Sequence, residues 1–262
     1  MKTASRIYTV LIFIFLYAPM LMLVLISFNA GASTSVMSGF SLQWYRRLFE
    51  DSETLTALKN TIILAVTSSL IATVIGTAAA VGIQKMKNRY LRRAVMSVTN
   101  VPMMNPEIVT GISMMLLFTF IYQTTGLLQR GYATLLISHI TFCIPYVVLQ
   151  VMPKLRQMNR HMFEAALDLG CRPLSAFFKV MLPEIMPGVI TGALMAFTMS
   201  LDDFVISLFT SGAEAQNLSV TIYSMVKRRV TPEINALSTL IFGTVLVLLI
   251  LVNVLQIRDK SR

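Results

Sequence analysis

The sequence predicts an all-α membrane protein in which six helices cross the bilayer. Of its 262 residues, 55% are hydrophobic and only 13% are charged, and the mean hydropathy is +0.71. Soluble domains carry about a quarter charged residues, so this composition excludes an ordinary cytosolic enzyme, a disordered chain and a disulfide scaffold. The net charge of +10 does not indicate nucleic-acid binding at this hydropathy, because excess Lys and Arg is typical of the cytoplasmic loops of membrane proteins.

The gaps between charged residues define the spans, because an uncharged stretch of about 20 residues crosses the hydrocarbon core as a helix. The predicted helices cover approximately residues 7–28, 61–83, 95–122, 132–152, 185–209 and 234–257. Residues 1–59 therefore hold the first helix and an extracytoplasmic segment, residues 60–257 hold the other five helices, and residues 258–262 form a tail.

The basic residues predict that both termini lie in the cytoplasm. With the N-terminus inside, about twice as many Lys and Arg fall on cytoplasmic segments as on outer segments. A cleaved signal peptide is the alternative for the first helix, since residues 30–32 (Ala-Gly-Ala) resemble a cleavage site. The apolar stretch of about 22 residues is longer than the roughly 7–15 of a signal peptide, which favours retention.

Two adjacent carboxylates, Asp202 and Asp203, occur within the fifth predicted helix. Carboxylates at membrane depth are costly and indicate a polar pathway or a pairing role. Neighbouring residues on a helix point about 100° apart, so the two acids cannot both face one narrow partner. One could line a cavity while the other caps or pairs with a neighbouring helix, and helix-end capping of both at the interface is the alternative.

Glu107 follows Pro102 and Pro106 in the third predicted helix. A proline-broken helix at membrane depth is tolerated only inside protein or beside a wet cavity, which favours a role in a pathway. The alternative is that Glu107 occupies the first turn of a helix that starts at Pro106, where the helix dipole favours an acid. Tyr223 belongs to a group of outer aromatic residues for which both an interface belt and contact with a passing cation remain open.

The longest predicted cytoplasmic segment covers residues 153–184. Its sequence predicts a short helix ended by Gly170, a residue suited to a left-handed cap, and a second short helix that stops before Pro183. The first of these helices carries a shallow apolar stripe because Ala165 and Ala166 are small. Another surface could therefore lie close against it, and an amphipathic helix on the inner leaflet is the alternative.

A set of positions in this segment has a characteristic spacing: Glu164, Ala165, Ala166, Gly170, Val180, Leu182 and Pro183. The pattern resembles the EAA loop of ABC importer permeases, Glu-Ala-Ala-x3-Gly-x9-Ile-x-Leu-Pro, with Val180 in place of Ile as its departure. The resemblance implies the type I ABC importer permease fold, with residues 60–257 as the permease core. It also implies that the matching residues form a coupling helix that binds in a cleft of an ATP-binding subunit and converts nucleotide-driven closure into a rearrangement of helices.

The sequence shows no catalytic or metal-ligating set. It has no G-x-x-x-x-G-K-[ST] phosphate loop and no Ser-His-Asp or Cys-His arrangement. His139 and Cys143 share a helix face, but two residues do not make a metal site, and we interpret them as packing. We expect no cofactor or metal in this chain, and ATP-Mg to be bound and hydrolysed by partner subunits.

The resemblance continues outside the loop, over residues 17–20, 27–29, 44–45, 138–143, 197–203, 222–227 and 231–237. These stretches are similar to spermidine/putrescine importer permeases, most of all to the PotC type and next to the PotI type. Arg228 and Arg229 depart from this pattern, since fewer positive charges are expected to face an incoming cation. The resemblance implies polyamine translocation, for which carboxylates and aromatic faces are suitable, with Asp202, Asp203, Glu107 and Tyr223 as candidates.

The implied partners are a second permease subunit forming a heterodimer, two ATP-binding subunits and an extracytoplasmic polyamine-binding protein. The implied location is a bacterial plasma membrane, and no nucleic acid is expected. A permease for iron, sulfate or a sugar is the nearest alternative. An ion-coupled secondary transporter that uses the acids as cation sites, and a membrane scaffold without transport, are the more distant ones.

Overall fold

The computed structural model describes residues 2–31, 37–212, 215, 217–228 and 232–260, and over these residues the chain is almost entirely helical. The helices in chain order are α1 (Lys2–Ser27), α2 (Gln43–Glu50), α3 (Ser52–Lys85), α4 (Arg89–Met104), α5 (Glu107–Thr125), α6 (Tyr132–Gln157), α7 (Arg160–Asp168), α8 (Pro173–Ala176), α9 (Leu182–Asp202), α10 (Val205–Thr210), α11 (Leu218–Arg228) and α12 (Pro232–Lys260). The prediction of an all-α protein is confirmed. Two compact units are present, one of residues 1–56 with 221–262 and one of residues 57–220.

Within the described residues, five helical segments are long and apolar enough to cross a membrane. They are Arg6–Ser27, Ser52–Lys85, Glu107–Thr125, Tyr132–Gln157 and Pro173–Asp202. The last helix, α12, continues for 29 residues. In the first unit α12 packs against α1 and α2, and the Trp44 indole of α2 donates a hydrogen bond to the Asn29 carbonyl at 2.7 Å.

The segment predicted as one helix over about 95–122 is divided into α4 and α5. Asn105 lies between them with an extended backbone, φ −77° and ψ 141°, because the ring of Pro106 disfavours helix at the preceding residue. Glu107 is the first residue of α5, where its charge is favoured by the helix dipole. Pro102 lies inside α4 without ending it.

The segment predicted as one helix over about 185–209 is also divided in the structure. The helix breaks at Asp203 and Phe204 and resumes as α10. The sequence also predicted a separate short helix that stops before Pro183, and this prediction is wrong. A π-helical turn, Phe177–Met181, joins α8 to α9, so that one helical segment runs from Pro173 to Asp202.

Pro183 is tolerated in this continuous helix because of the π-helical turn before it. The N–H of Leu182 bonds to the carbonyl of Phe177, which is one residue further back than in an α-helix. Pro183 therefore occupies the first turn of α9, a position where its missing N–H costs little. Leu182 is half-buried and Pro183 is exposed.

The second unit is built around α6, which packs along α9. Small residues allow this close packing, since a Cβ added to Gly192 would lie 3.3 Å from the Cα of Val147. A Cβ added to Gly76 of α3 would lie 2.7 Å from the Cβ of Val147. The buried Val147 of α6 is therefore approached by two helices, α3 and α9, with a glycine of each at the contact.

We expect Gly76→Leu to destabilise the protein, because overpacking of a tight contact costs about 1–3 kcal/mol. Gly82→Leu is the matched control, since Gly82 lies on the same helix and a Cβ there would have no neighbour within 4 Å. The measurement is thermal unfolding of the two purified variants in detergent. Equal melting temperatures for the two variants would contradict this account of α3 packing.

Candidate functional site

The helices α5 and α10 pack together and run in the same direction. Near the start of both, a Cβ added to Gly111 would lie 3.4 Å from the carbonyl oxygen of Val205 and 3.5 Å from Cα of Ile206. Further along, Tyr122 near the end of α5 and Gly212 just after α10 line one cavity of about 500 Å³. The beginning of α5 therefore lies beside the break that precedes α10.

This arrangement groups the three candidate acids. Glu107 begins α5, Asp202 ends α9 and Asp203 follows it in the break before α10, and the three side chains are close enough for their charges to interact. Glu107 and Asp202 are exposed on this chain, whereas Asp203 is only 6% exposed. A cation facing this point of the chain would meet two accessible carboxylates and one buried carboxylate.

Asp203 satisfies the backbone at the helix break. Its carboxylate accepts the N–H of Ile206 at 3.3 Å and the N–H of Ser207 at 2.8 Å, together with the Ser207 hydroxyl at 2.8 Å. These are the donors that the first turn of α10 leaves without a helical partner. Of the two roles that the sequence left open for the adjacent acids, Asp203 has the capping role and Asp202 has the accessible position.

His139 of α6 connects the two sides of the break. Its Nδ1 lies 2.7 Å from the Ser200 hydroxyl of α9, and its Nε2 lies 2.9 Å from the Ser207 hydroxyl of α10. The same Nε2 is 3.5 Å from Oδ2 of Asp203. Ser68 of α3 extends the chain of contacts, with its hydroxyl 2.9 Å from that of Ser200. All five side chains are buried.

The donors and acceptors that meet at Ser207 determine which atom donates in each hydrogen bond of this network. The single proton of the Ser207 hydroxyl is donated to Asp203, and the same oxygen accepts from the Asn217 amide at 2.7 Å. His139 Nε2 must therefore donate to Ser207, and a neutral imidazole then accepts from Ser200 at Nδ1. Asn217 also donates to the Asp203 carbonyl at 3.3 Å, so both the side chain and the backbone of Asp203 are bonded.

The second candidate region is α7, whose two ends are well defined. The Asn159 side chain accepts the N–H of His161 at 3.0 Å, which caps the beginning of the helix. Gly170, with φ +84°, ends it as predicted. The N–H of Cys171 returns to the carbonyl of Ala166 at 3.1 Å, which is the Schellman pattern.

The outer face of α7 is apolar and open. Met162 is 50% exposed and Leu169 is 86% exposed, and Ala165 between them is also exposed. Ala166 lies instead against the protein at 9% exposure, so it fixes the helix rather than extending the stripe. Glu164, with a side chain 66% exposed, stands beside this face.

The remaining candidate, Tyr223, lies on α11 and is 45% exposed. It belongs to the other compact unit. Arg228 and Arg229 are the two residues that depart from the polyamine-permease pattern. Arg229 and the side chain of Arg228 lie outside the described residues. Within the described part of the chain, no three His, Cys, Asp or Glu side chains are grouped so as to hold a metal ion.

Residues 72–258 match the family described as binding-protein-dependent transport system inner membrane component. This chain belongs to that family. Relatives include the putrescine transport system permease protein PotI of Escherichia coli K12, 41% identical over 89% of this chain and 83% of that protein. The spermidine/putrescine transport system permease protein PotC of the same strain is 38% identical over 96% and 92%, and PotC of Haemophilus influenzae is 35% identical over 92% and 91%. The chain is therefore a multi-pass inner-membrane component of a transport system.

Solved structures of ABC transporters share the fold. A chain of a bacterial ABC transporter that imports the acidic polysaccharide alginate superimposes with a TM-score of 0.76 at 18% identity, covering 98% of this chain and 95% of that one. A chain of the MetNI methionine ABC transporter gives 0.61 at 19% identity, over 79% and 95%. The ABC permease fold expected from the resemblance is thus present.

The sequence did not predict most of the buried polar network around His139. It interpreted His139 and Cys143 as packing, and Cys143 is indeed enclosed in the core, but His139 is also the centre of a polar cluster. Ser68, Ser200 and Ser207 were not selected, since isolated serines in apolar helices carry no spacing pattern that distinguishes them from other small residues. A histidine in an uncharged span was the available signal.

We expect His139→Gln to destabilise the protein, because each buried group left without its partner costs about 1–3 kcal/mol. Thr141→Val is the matched control, since Thr141 is an exposed residue of the same helix whose hydroxyl bonds to the Ile137 carbonyl. Thermal unfolding in detergent measures both variants. The combination of His139→Gln with Ser207→Ala should cost less than the sum of the two single changes, since the two residues share one network, and strict additivity would contradict the network.

Proposed function

We propose that this chain is a permease subunit of an ABC importer that carries polyamines, spermidine or putrescine, across the plasma membrane. The observation that carries the proposal is the grouping of Glu107, Asp202 and Asp203 at the α9–α10 break, in a chain 41% identical to PotI and 38% identical to PotC. A carboxylate group inside a membrane protein is costly, and a cationic substrate is a physical reason to maintain it.

The chemistry of a polyamine fits this group of acids. A polyamine carries a positive amine at each end of a flexible apolar chain, and opposite charges near its path lower the cost of leaving water. Asp202 and Glu107 are the exposed carboxylates and are proposed to meet the ammonium groups directly. Asp203 is proposed to act from behind them by holding the break, and Tyr223 is proposed to offer an aromatic face to the cation.

The proposed topology has six spans with both termini in the cytoplasm. The apolar length of α12 and the distribution of Lys and Arg support it. Residues 60–257 would then form the permease core, and residues 1–59 an additional N-terminal helix with an extracytoplasmic segment. In this orientation α7 lies on the cytoplasmic side.

Coupling to ATP is proposed to occur through α7 and the start of α9. The open apolar face beside Glu164 is suited to a cleft on an ATP-binding subunit, and Ala165 allows close approach. Ala166 and Gly170 hold α7 in shape, while Leu182 and Pro183 begin α9. Because the helical segment Pro173–Asp202 is continuous over 30 residues, or about 45 Å, it connects this end of the chain to Asp202 as one helical segment.

The proposed assembly has two permease subunits, with this chain paired to a distinct one, and two ATP-binding subunits that hydrolyse ATP-Mg. An extracytoplasmic polyamine-binding protein would deliver the substrate. The solved alginate transporter was crystallised in complex with a substrate-bound periplasmic protein, which supports this type of partner.

The test of substrate is uptake of labelled spermidine and putrescine in cells deleted for polyamine import and supplied with the full neighbouring transporter gene set. We expect Asp202→Asn to raise the KM for uptake by about tenfold, since it removes a charge that offsets the cation. Glu53→Gln is the matched control, an exposed acid in the first turn of α3.

If the wild-type transporter takes up neither polyamine, the proposed substrate is wrong, and another solute such as iron, sulfate or a sugar is transported instead. Uptake that survives ATP depletion would instead indicate an ion-coupled carrier. An unchanged KM in Asp202→Asn would remove Asp202 from the path.

The test of coupling is Glu164→Arg, for which we expect loss of ATP-dependent uptake with the permease still in the membrane, because the reversed charge disturbs the face that meets the ATP-binding subunit. Glu53→Arg is the control, since Glu53 is an exposed acid in the first turn of α3, outside both α7 and α9. The measurements are uptake and co-purification of the ATP-binding subunit. Normal uptake by Glu164→Arg would contradict the role of α7.

A further inference from the structure

A second cavity, of about 410 Å³, lies where the end of α3, the beginning of α4 and the end of α6 meet α7. Three basic residues line it, Lys85, Lys87 and Arg92. Much of the remaining lining is apolar and includes Leu155 and Phe163. The cavity thus combines positive charge with an apolar wall.

The positive charge of this cavity is not neutralised within the described part of the chain. There, Lys85, Lys87 and Arg92 have no carboxylate within ion-pair distance. The lining contains one carboxylate, Glu164, whose oxygen lies 3.3 Å from Nδ1 of His161. Three cations against one acid leave a site that attracts an anion.

Contacts with the protein orient two of the three basic residues, Lys85 and Arg92. The Lys85 ammonium lies 5.0 Å from the centre of the Phe163 ring, a cation–π distance, so it is directed across the cavity toward α7. Arg92 is half-buried, whereas its neighbours Arg89 and Arg93 are exposed. Arg92 therefore lines the cavity, whereas Arg89 and Arg93 do not.

The cavity lies at the end of a membrane span, since Lys85 is the last residue of the apolar helix α3. In the proposed orientation, on which this inference rests, that end reaches the cytoplasmic leaflet. Basic pockets between helices on this side of a membrane suit anionic lipid headgroups. A phosphate there would take charge-assisted hydrogen bonds from the lysines and the arginine, and its glycerol and first methylenes would contact the apolar wall.

We propose that this cavity binds the phosphate headgroup of an anionic phospholipid. The headgroup contacts α3 and α4 on one side and α7 on the other, so the lipid fixes the position of α7 relative to the transmembrane helices. Free phosphate has the same anionic group as the headgroup but lacks the apolar part of the lipid. A site that also uses its apolar wall should therefore prefer the lipid to free phosphate.

The experiment uses the complete purified transporter, without substrate, in detergent. Native mass spectrometry measures retention of phosphatidylglycerol, with phosphatidylethanolamine and inorganic phosphate as the comparison ligands. Lys85→Gln/Arg92→Gln removes two charges from the cavity. Arg89→Gln/Arg93→Gln removes two exposed charges of α4 that do not line the cavity and is the matched control.

We expect the wild type and the control to retain phosphatidylglycerol in preference to phosphatidylethanolamine, and the cavity variant to retain it on the order of tenfold less. Equal retention by the two double variants overturns the proposal, as does displacement of the lipid by millimolar inorganic phosphate. If the cavity variant does not assemble, Lys85→Arg/Arg92→Lys keeps both charges, and loss of lipid from that variant would equally overturn it. Lipid retention requires no polyamine, so this result is independent of the uptake assay.

Discussion

The break between α9 and α10 is the constraint on which the second unit depends. Unpaired backbone groups that are buried away from water cost several kcal/mol each, so a buried helix can end only if other groups replace its hydrogen bonds. The Asp203 carboxylate accepts the free donors of α10, and Asn217 donates to the Asp203 carbonyl. His139 then ties both sides of the break to α6, so the break and its neighbouring helices stabilise one another.

The same break separates the tasks of two adjacent acids. The Asp203 carboxylate is hydrogen-bonded to the backbone of α10 and to the Ser207 hydroxyl. Asp202, the last residue of α9, remains accessible beside Glu107. In the proposed transporter the buried acid holds the geometry and the exposed acids meet the substrate. A substitution at either aspartate would lower transport, but only the exposed position would act mainly through the affinity for the cation.

The π-helical turn at Phe177–Met181 has a comparable consequence at the cytoplasmic end of the proposed topology. By accommodating Pro183, it allows one helical segment to run from Pro173 to Asp202. In the proposed importer, this helical segment connects the region beside α7 to Asp202. Coupling between distant sites can be carried by secondary-structure elements and packed side chains that have two discrete arrangements.

The sequence by itself determined the helical membrane class, the family and the end of α7 at Gly170, because apolar length, loop spacing and glycine chemistry are local properties. It also located Glu107, Asp202 and Asp203, since charges in apolar spans stand out. Proline chemistry also made the break before Glu107 foreseeable, whereas only the tertiary structure decided the break after Asp202 and the role of His139. Those two features depend on partners such as Ser68 and Ser200, which are distant from His139 in sequence and become its neighbours only when α3, α6 and α9 pack together.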